Sequence, residues 1–282
     1  MQIIAESGGT KTDWRFMYDG GRIEQFVSSG LNPTYATQDE LLHLLQDELT
    51  VKWEESVTAI YFYGAGCQTE QAKAKIYAVL ARFLPACETI VVNHDLLAAA
   101  RACGKDKAGI VCILGTGSNA CLYDGKDITR QMMNLGFILG DEGSGAYMGK
   151  QLVKDLFNNR LPEELHRLFT RQFPSLSKDL LLEKLYREAK PNKFLAQFFP
   201  FILAHQAFPY CQKLMIEAFD SFLHNVQETF VKADKLPIHF VGGVAFHANP
   251  ILRRVLQRRQ LNVGIIVESP IAGLTLYHQK NI

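Results

Sequence analysis

The first thirty positions carry short apolar and aromatic runs, at 2–6 and 14–19, on either side of a glycine turn. A third run at 22–28 follows Asp19-Gly20-Gly21. Short runs punctuated by turn residues predict an antiparallel meander. The spacing then changes to that of a helix: Leu41, Leu42, Leu44, Leu45 and Leu49 recur behind Asp39, a residue able to cap it. A buried strand at 57–63 runs into Gly64-Ala65-Gly66, a helix covers 70–83, and a strand follows at 89–93. Such alternation implies helices packed on a mixed sheet.

The pattern then restarts. Residues 109–114 form an apolar run, Gly115-Thr116-Gly117-Ser118 a turn, and 119–123 a second run closing on Asp124-Gly125, as the first turn leads to a run closing on Tyr18-Asp19-Gly20. Two glycine turns between strands predict two lobes built on one plan, with a seam near 104–109. The expected domains are 1–106 and 107–269. The second carries a helical insertion over 145–235, with patterns at 180–188, 194–204 and 211–230 broken at Pro162, Pro174, Pro191 and Pro209. Strands return at 238–241 and 263–267, and Pro270 opens a helix-like tail over 270–282.

Composition narrows the function classes. A chain of 282 residues with 48% hydrophobic and 21% charged content can build two substantial cores. Thirty basic against 29 acidic residues leave a net charge of +1, so no global field favours nucleic acid or an anionic membrane. Cys67, Cys87, Cys103, Cys112, Cys121 and Cys211 include no Cys-x-x-Cys pair, which fits neither a zinc site nor a disulfide framework. Reduced, mostly buried thiols are expected. With no basic leader and no apolar stretch of membrane-spanning length, the sequence reads as a cytoplasmic protein.

Chemistry concentrates at the glycine turns. Glu6-Ser7-Gly8-Gly9-Thr10-Lys11-Thr12 and Leu114-Gly115-Thr116-Gly117-Ser118-Asn119 both place glycines and hydroxyls between strands, where backbone N–H groups can cradle a polyphosphate. Either turn alone is better read as a plain hairpin; their pairing reverses that balance in favour of a phosphate grip. Neither fits the Walker or the dinucleotide pattern. Lys11 can add a point charge or simply be solvated, and Glu6, at the end of the first strand, can hold Mg2+ or be a charged strand end.

With three further segments, these turns resemble the N-acetylglucosamine kinases and BadF/BadG/BcrA/BcrD ATPases. The segments are Asn93-His94-Asp95 before Ala98-Ala99-Ala100; Gly136 with Leu139-Gly140-Asp141-Glu142-Gly143-Ser144; and Val241-Gly242-Gly243-Val244-Ala245. The resemblance runs nearly end to end. It implies an α/β, two-lobed actin-like ATPase (ribonuclease H-like) fold, with mixed sheets flanked by helices, ATP in the interlobe cleft, and the tail at 270–282 completing the first lobe. It also implies transfer of phosphate from ATP, with Mg2+, to the 6-hydroxyl of N-acetylglucosamine or a related amino sugar.

The roles follow the motifs. Asp95 matches the general base, although its residue chemistry alone suggests a helix N-cap. Gly8, Gly9, Thr10, Lys11, Thr12, Gly115, Thr116, Gly117 and Ser118 match the phosphate contacts, and Gly242, Gly243 and Ala245 the adenosine turn. Asn32, Asn119, Gly136, Asp141 and Gly145 match sugar contacts, while Glu6 matches the metal carboxylate. On residue chemistry, Gly140-Asp141-Glu142-Gly143-Ser144 is a turn and capping box. Three positions depart from the family: Glu6 for aspartate, Ser7 for glycine, and Asn134-Leu135-Gly136 where sugar kinases often carry Gly-Trp-Gly. Two other readings stay open, an ATPase that activates a 2-hydroxyacyl-CoA dehydratase and a non-catalytic sugar sensor. A small-molecule sugar is the expected partner, without nucleic acid or membrane, and a homodimer is a fair expectation.

Overall fold

A computed structural model describes residues 1–9, 11–49, 56–231 and 233–279. The chain divides into two compact units, Met1–Asp106 with Gly125–Asp127 and Pro270–Ile282, and Lys107–Asp124 with Ile128–Ser269. Phosphate candidate Thr10 and positions 280–282 of the tail lie outside the described residues.

In the first unit, β1 (Gln2–Ser7), β2 (Lys11–Met17) and β3 (Ile23–Ser29) form the expected meander. Then come α1 (Gln38–Glu48), β4 (Ala59–Gly64), α2 (Glu70–Phe83), β5 (Thr89–His94) and α3 (Asp95–Gly104). The strand order is β3-β2-β1-β4-β5, with β4 parallel to both β1 and β5. Ile3, Ile4 and Ala5 are all fully buried, because central β1 is covered on both faces. Thr37, not Asp39, caps α1. Its hydroxyl accepts from Glu40 N–H while the Glu40 carboxylate accepts from Thr37 N–H, leaving Asp39 inside the first turn, paired with Arg82 at 2.8 Å.

The second unit starts with β6 (Gly109–Leu114), β7 (Ser118–Tyr123) and β8 (Ile128–Gln131), then α4 (Gly136–Leu139) and α5 (Gly145–Phe157). Its helical elaboration continues with α6 (Glu163–Gln172), α7 (Lys178–Tyr186), α8 (Pro191–Ala196), α9 (Phe199–Ala204) and α10 (Pro209–Thr229). The pattern at 194–204 thus forms two helices rather than one, with Pro200 in the first turn of α9 where its missing N–H costs nothing. β9 (Ile238–Val241), α11 (Gly243–His247), α12 (Asn249–Arg258) and β10 (Val263–Val267) complete the unit. The sheet order, β10-β9-β6-β7-β8, repeats that of the first unit: a three-stranded antiparallel meander followed by two parallel strands.

α13 (Ile271–Gln279) belongs to the first unit and packs on α3. Burial and Arg101 push the His278 imidazole down to about 4, so it is neutral near pH 7. Its Nε2 can accept from the Tyr63 hydroxyl at 2.9 Å while Arg101 donates to that oxygen at 2.8 Å. Of the six free cysteines, only Cys87 is not buried. Among the described residues, no helix is long and apolar enough to cross a membrane.

Candidate active site

Two other carboxylates of the first unit, Asp95 and Asp13, lie within electrostatic reach of Glu6. Glu6 lies next to the end of β1, directly opposite Asp13 on β2, and Asp95 opens α3. Like charges facing across a ladder destabilise it. Burial, then Asp95, then Asp13 push the Glu6 carboxyl up to about 8, against a smaller pull from Lys11. Lys11 itself pairs with Asp13 at 3.0 Å. Burial raises Asp95 to about 6, opposed by backbone N–H groups including that of Leu96, which donates to Oδ1 at 2.9 Å.

Asp95 is not the cap of α3. That task falls to His94, whose Nδ1 accepts from Leu97 N–H at 3.3 Å. Burial, Lys73 and Arg101 hold the imidazole below its usual pKa, favouring the neutral ring, and the bond from Leu97 N–H selects the tautomer that leaves Nδ1 free to accept. Asp95 therefore occupies the first helical position, where a carboxylate is favoured by the helix dipole without being consumed by capping.

The first glycine turn is a tight hairpin closed by Gly8 N–H donating to the Lys11 carbonyl at 2.9 Å. The Gly9 N–H donates to no described residue. Thr12 is fully buried, its hydroxyl 2.9 Å from Ser7 Oγ and 3.1 Å from the Ser29 carbonyl, so that hydroxyl is engaged within the protein.

In the second unit, the turn Gly115–Ser118 is wired to two neighbours. Its carbonyls at Gly115 and Thr116 accept from the Gly145 and Ala146 N–H groups at 2.9 and 3.1 Å, satisfying the first turn of α5. Ser144, as expected of the capping segment, accepts from Tyr147 N–H and caps this helix. The N–H of Ser118 donates to Asp141 Oδ1 at 3.0 Å, and Asn134 Nδ2 donates to the Ser118 carbonyl at 2.8 Å. Asn134 Oδ1 accepts from Gly136 N–H at 2.6 Å. The Thr116 and Gly117 N–H groups donate to no described residue.

Asp141 is buried with φ of 57°, a left-handed backbone that a non-glycine residue adopts only when its surroundings hold it there. Burial raises its pKa, with the Ser118 N–H opposing. A pocket of about 240 Å3 opens beside it, lined among others by Ser118, Asn134, Leu135, Glu142 and Glu228. Asn119, Gly136 and Gly145 do not line it. The Asn119 Oδ1 accepts from its neighbour Ala120 N–H at 2.9 Å. Gly242, at φ 121°, lies so close to the end of β6 that a Cβ would overlap the Leu114 carbonyl. Two motifs some 130 residues apart, at 114–119 and 241–245, are thereby brought together.

Sequence reasoning missed Asp13 and Glu228, and it named Ser7 only as a departure from the family in the first glycine turn. Asp13 was open to inference, because a tight hairpin that pairs Ser7 with Thr12 must pair Glu6 with Asp13. Glu228 gives no local signal, since it stands near the end of a long helix.

No protein-family profile matches the chain, and no curated protein does. Solved structures do. A protein from Porphyromonas gingivalis, described as a candidate N-acetylglucosamine kinase, is 40% identical, with 100% of this chain and 99% of that chain covered and a TM-score of 0.93. A second such protein, from Chromobacterium violaceum, is 18% identical with 98% of each chain covered and a TM-score of 0.77. A ROK family glucokinase from Streptomyces griseus, solved with glucose and AMPPNP, is 15% identical over 99% of this chain and 98% of that one, at a TM-score of 0.57. The last two show a shared fold.

Proposed function

The chain belongs to the N-acetylglucosamine kinase family, sugar kinases of the actin-like ATPase fold, and on that premise we propose that it phosphorylates an amino sugar. The donor is ATP and the acceptor is the 6-hydroxyl of N-acetylglucosamine or a close relative. The observation that carries this reading is Asp95: a buried carboxylate raised to about 6, at the head of α3, with His94 taking over the capping. Such a group is ionised at neutral pH yet basic enough to take the hydroxyl proton as the bond to phosphorus forms.

The other roles are assigned to fit. Phosphate binding falls to Gly8, Gly9, Thr10, Lys11 and Thr12 and to Gly115, Thr116, Gly117 and Ser118, through the Gly9, Thr116 and Gly117 N–H groups, which donate to no described residue, among others. Gly242, Gly243 and Ala245 face the adenosine. Asn32, Asn119, Gly136, Asp141 and Gly145 serve the sugar, with Asp141 held by Ser118 and bordering a pocket.

The donor set also suits a divalent cation. Glu6, raised first by burial and then by the charges of Asp95 and Asp13, would be relieved by a nearby cation. Among the described residues, no three His, Cys, Asp or Glu side chains converge to cage a metal. Mg2+ keeps waters and phosphate oxygens as most of its ligands, so one protein carboxylate, here Glu6, would suffice to hold it. When bound, the ion neutralises phosphate charge; Glu6 holds it and Asp95 holds the sugar hydroxyl.

The test is ADP release with ATP, Mg2+ and, in turn, N-acetylglucosamine, glucosamine, N-acetylmuramic acid, glucose and N-acetylmannosamine. Sugar-dependent turnover is expected with an amino sugar, and Asp95→Asn should lower kcat by about 10²-fold or more while ATP binding persists. Turnover with none of these sugars, or an unimpaired Asp95→Asn enzyme, overturns the proposal.

A further inference from the structure

Ser7 and Thr12 close the β1–β2 ladder as an opposed pair, and both are fully buried. The Ser7 hydroxyl accepts from the Leu31 N–H at 2.8 Å and from the Thr12 hydroxyl at 2.9 Å, and donates to the Leu31 carbonyl at 3.3 Å. One donated and two accepted bonds are the full capacity of a hydroxyl. Ser7 is therefore saturated by the protein and has nothing left to offer a ligand. Its bonds instead grip both polar groups of one peptide residue, Leu31, in the loop after β3.

The next residue is Asn32, about nine-tenths buried. Its Oδ1 accepts from Thr34 N–H at 2.9 Å, and it packs so tightly on Gly66 that a Cβ there would overlap the carboxamide. The Nδ2 group donates to no described residue. That nitrogen is not among the described side-chain atoms buried without a partner, so it reaches solvent and is open to a ligand. Its orientation depends on the Leu31 peptide, and that peptide depends on Ser7.

We propose that Ser7 is a positioning residue for the sugar: from the strand that ends in the first glycine turn, its hydroxyl fixes the Leu31 peptide and so pre-sets Asn32 for the substrate. The inference rests on the proposed reading of Asn32 as a sugar contact. Ser7 touches neither substrate, so its effect belongs in ground-state sugar binding rather than in the chemical step.

Steady-state kinetics on the intact chain separate the possibilities. Ser7→Ala should raise the sugar KM about tenfold, the worth of roughly one hydrogen bond, with kcat and the ATP KM changed by less than about twofold. In an Asn32→Ala background the same substitution should add nothing to the sugar KM, because the path it acts through is gone. Where Ser7→Ala fails to fold, Ser7→Cys keeps the volume, weakens the bonds and gives the same reading. An equal rise in the ATP KM, an undiminished effect in Asn32→Ala, or no effect at all overturns the inference alone. A wild-type protein that turns over no amino sugar overturns the proposed function, and this inference with it.

Discussion

At the scale of single residues, the decisive quantity is how far burial moves a carboxylate. Asp95 at about 6 predicts an acid limb: kcat/KM should climb as pH rises through about 6 and level off above it, because only the ionised carboxylate accepts a proton. A pH series from 5 to 8 with saturating Mg2+ reads this directly, and a profile flat across pH 6 contradicts the role. Glu6 makes a second case, coupled to the first because the Asp95 charge helps to raise it. Its folded pKa, about 8, lies above the ordinary 4.5, so the folded state holds a proton that the unfolded chain has released. Stability without Mg2+ should therefore fall as pH rises from about 4.5 through 8. Glu6→Gln should flatten that slope, most of all between about 6 and 8 where Asp95 no longer contributes, melting higher than wild type at pH 8.5 and similarly at pH 4.5, while losing Mg2+-dependent turnover. Calorimetry at the two pH values checks the sign.

At the scale of elements, the lesson lies in the helix starts. Asp39 and Asp95 are both aspartates just ahead of apolar helical patterns, and both read as caps. In each case the cap lies upstream, at Thr37 and at His94. For α1 the difference is a register of two residues. For α3 it separates a structural aspartate from one free to do chemistry. His94→Ala should cost about 1 kcal/mol of stability, a typical loss for a cap, and lower kcat by loosening the turn that carries Asp95. His94→Asn, which restores a capping acceptor, should recover much of both. Thermal melts and kcat on the two variants distinguish this from a histidine acting on substrate, which asparagine would not rescue.

At the scale of the whole molecule, two units share one strand order, and the restart of the apolar pattern after the fifth strand announced it. Each sheet has its central strand buried and its glycine turn at the same point, between the first two strands of the meander. A protein folded this way gains stability from its ligand by mass action. A sugar present at about 100 times its Kd should add about 2.7 kcal/mol, a rise of several degrees in Tm. The shift should appear with the sugars that are turned over and not with those that are not, as differential scanning fluorimetry across the same panel would reveal.

Local pattern in the sequence determined strand against helix, the two glycine turns and the repeat of plan, while Asp95, Asp141 and Gly242 stood out only through the resemblance to a family. Periodicity and turn chemistry act over a few neighbours, so they are legible in one dimension. Only the tertiary structure decided that Asp95 escapes capping, that Glu6 sits among like charges, that Gly242 lies against the turn after β6, and that Ser7 grips Leu31. Each of these depends on partners brought from distant positions and on the water they exclude. Local pattern carries neither, because burial and charge proximity arise only when strands and helices pack.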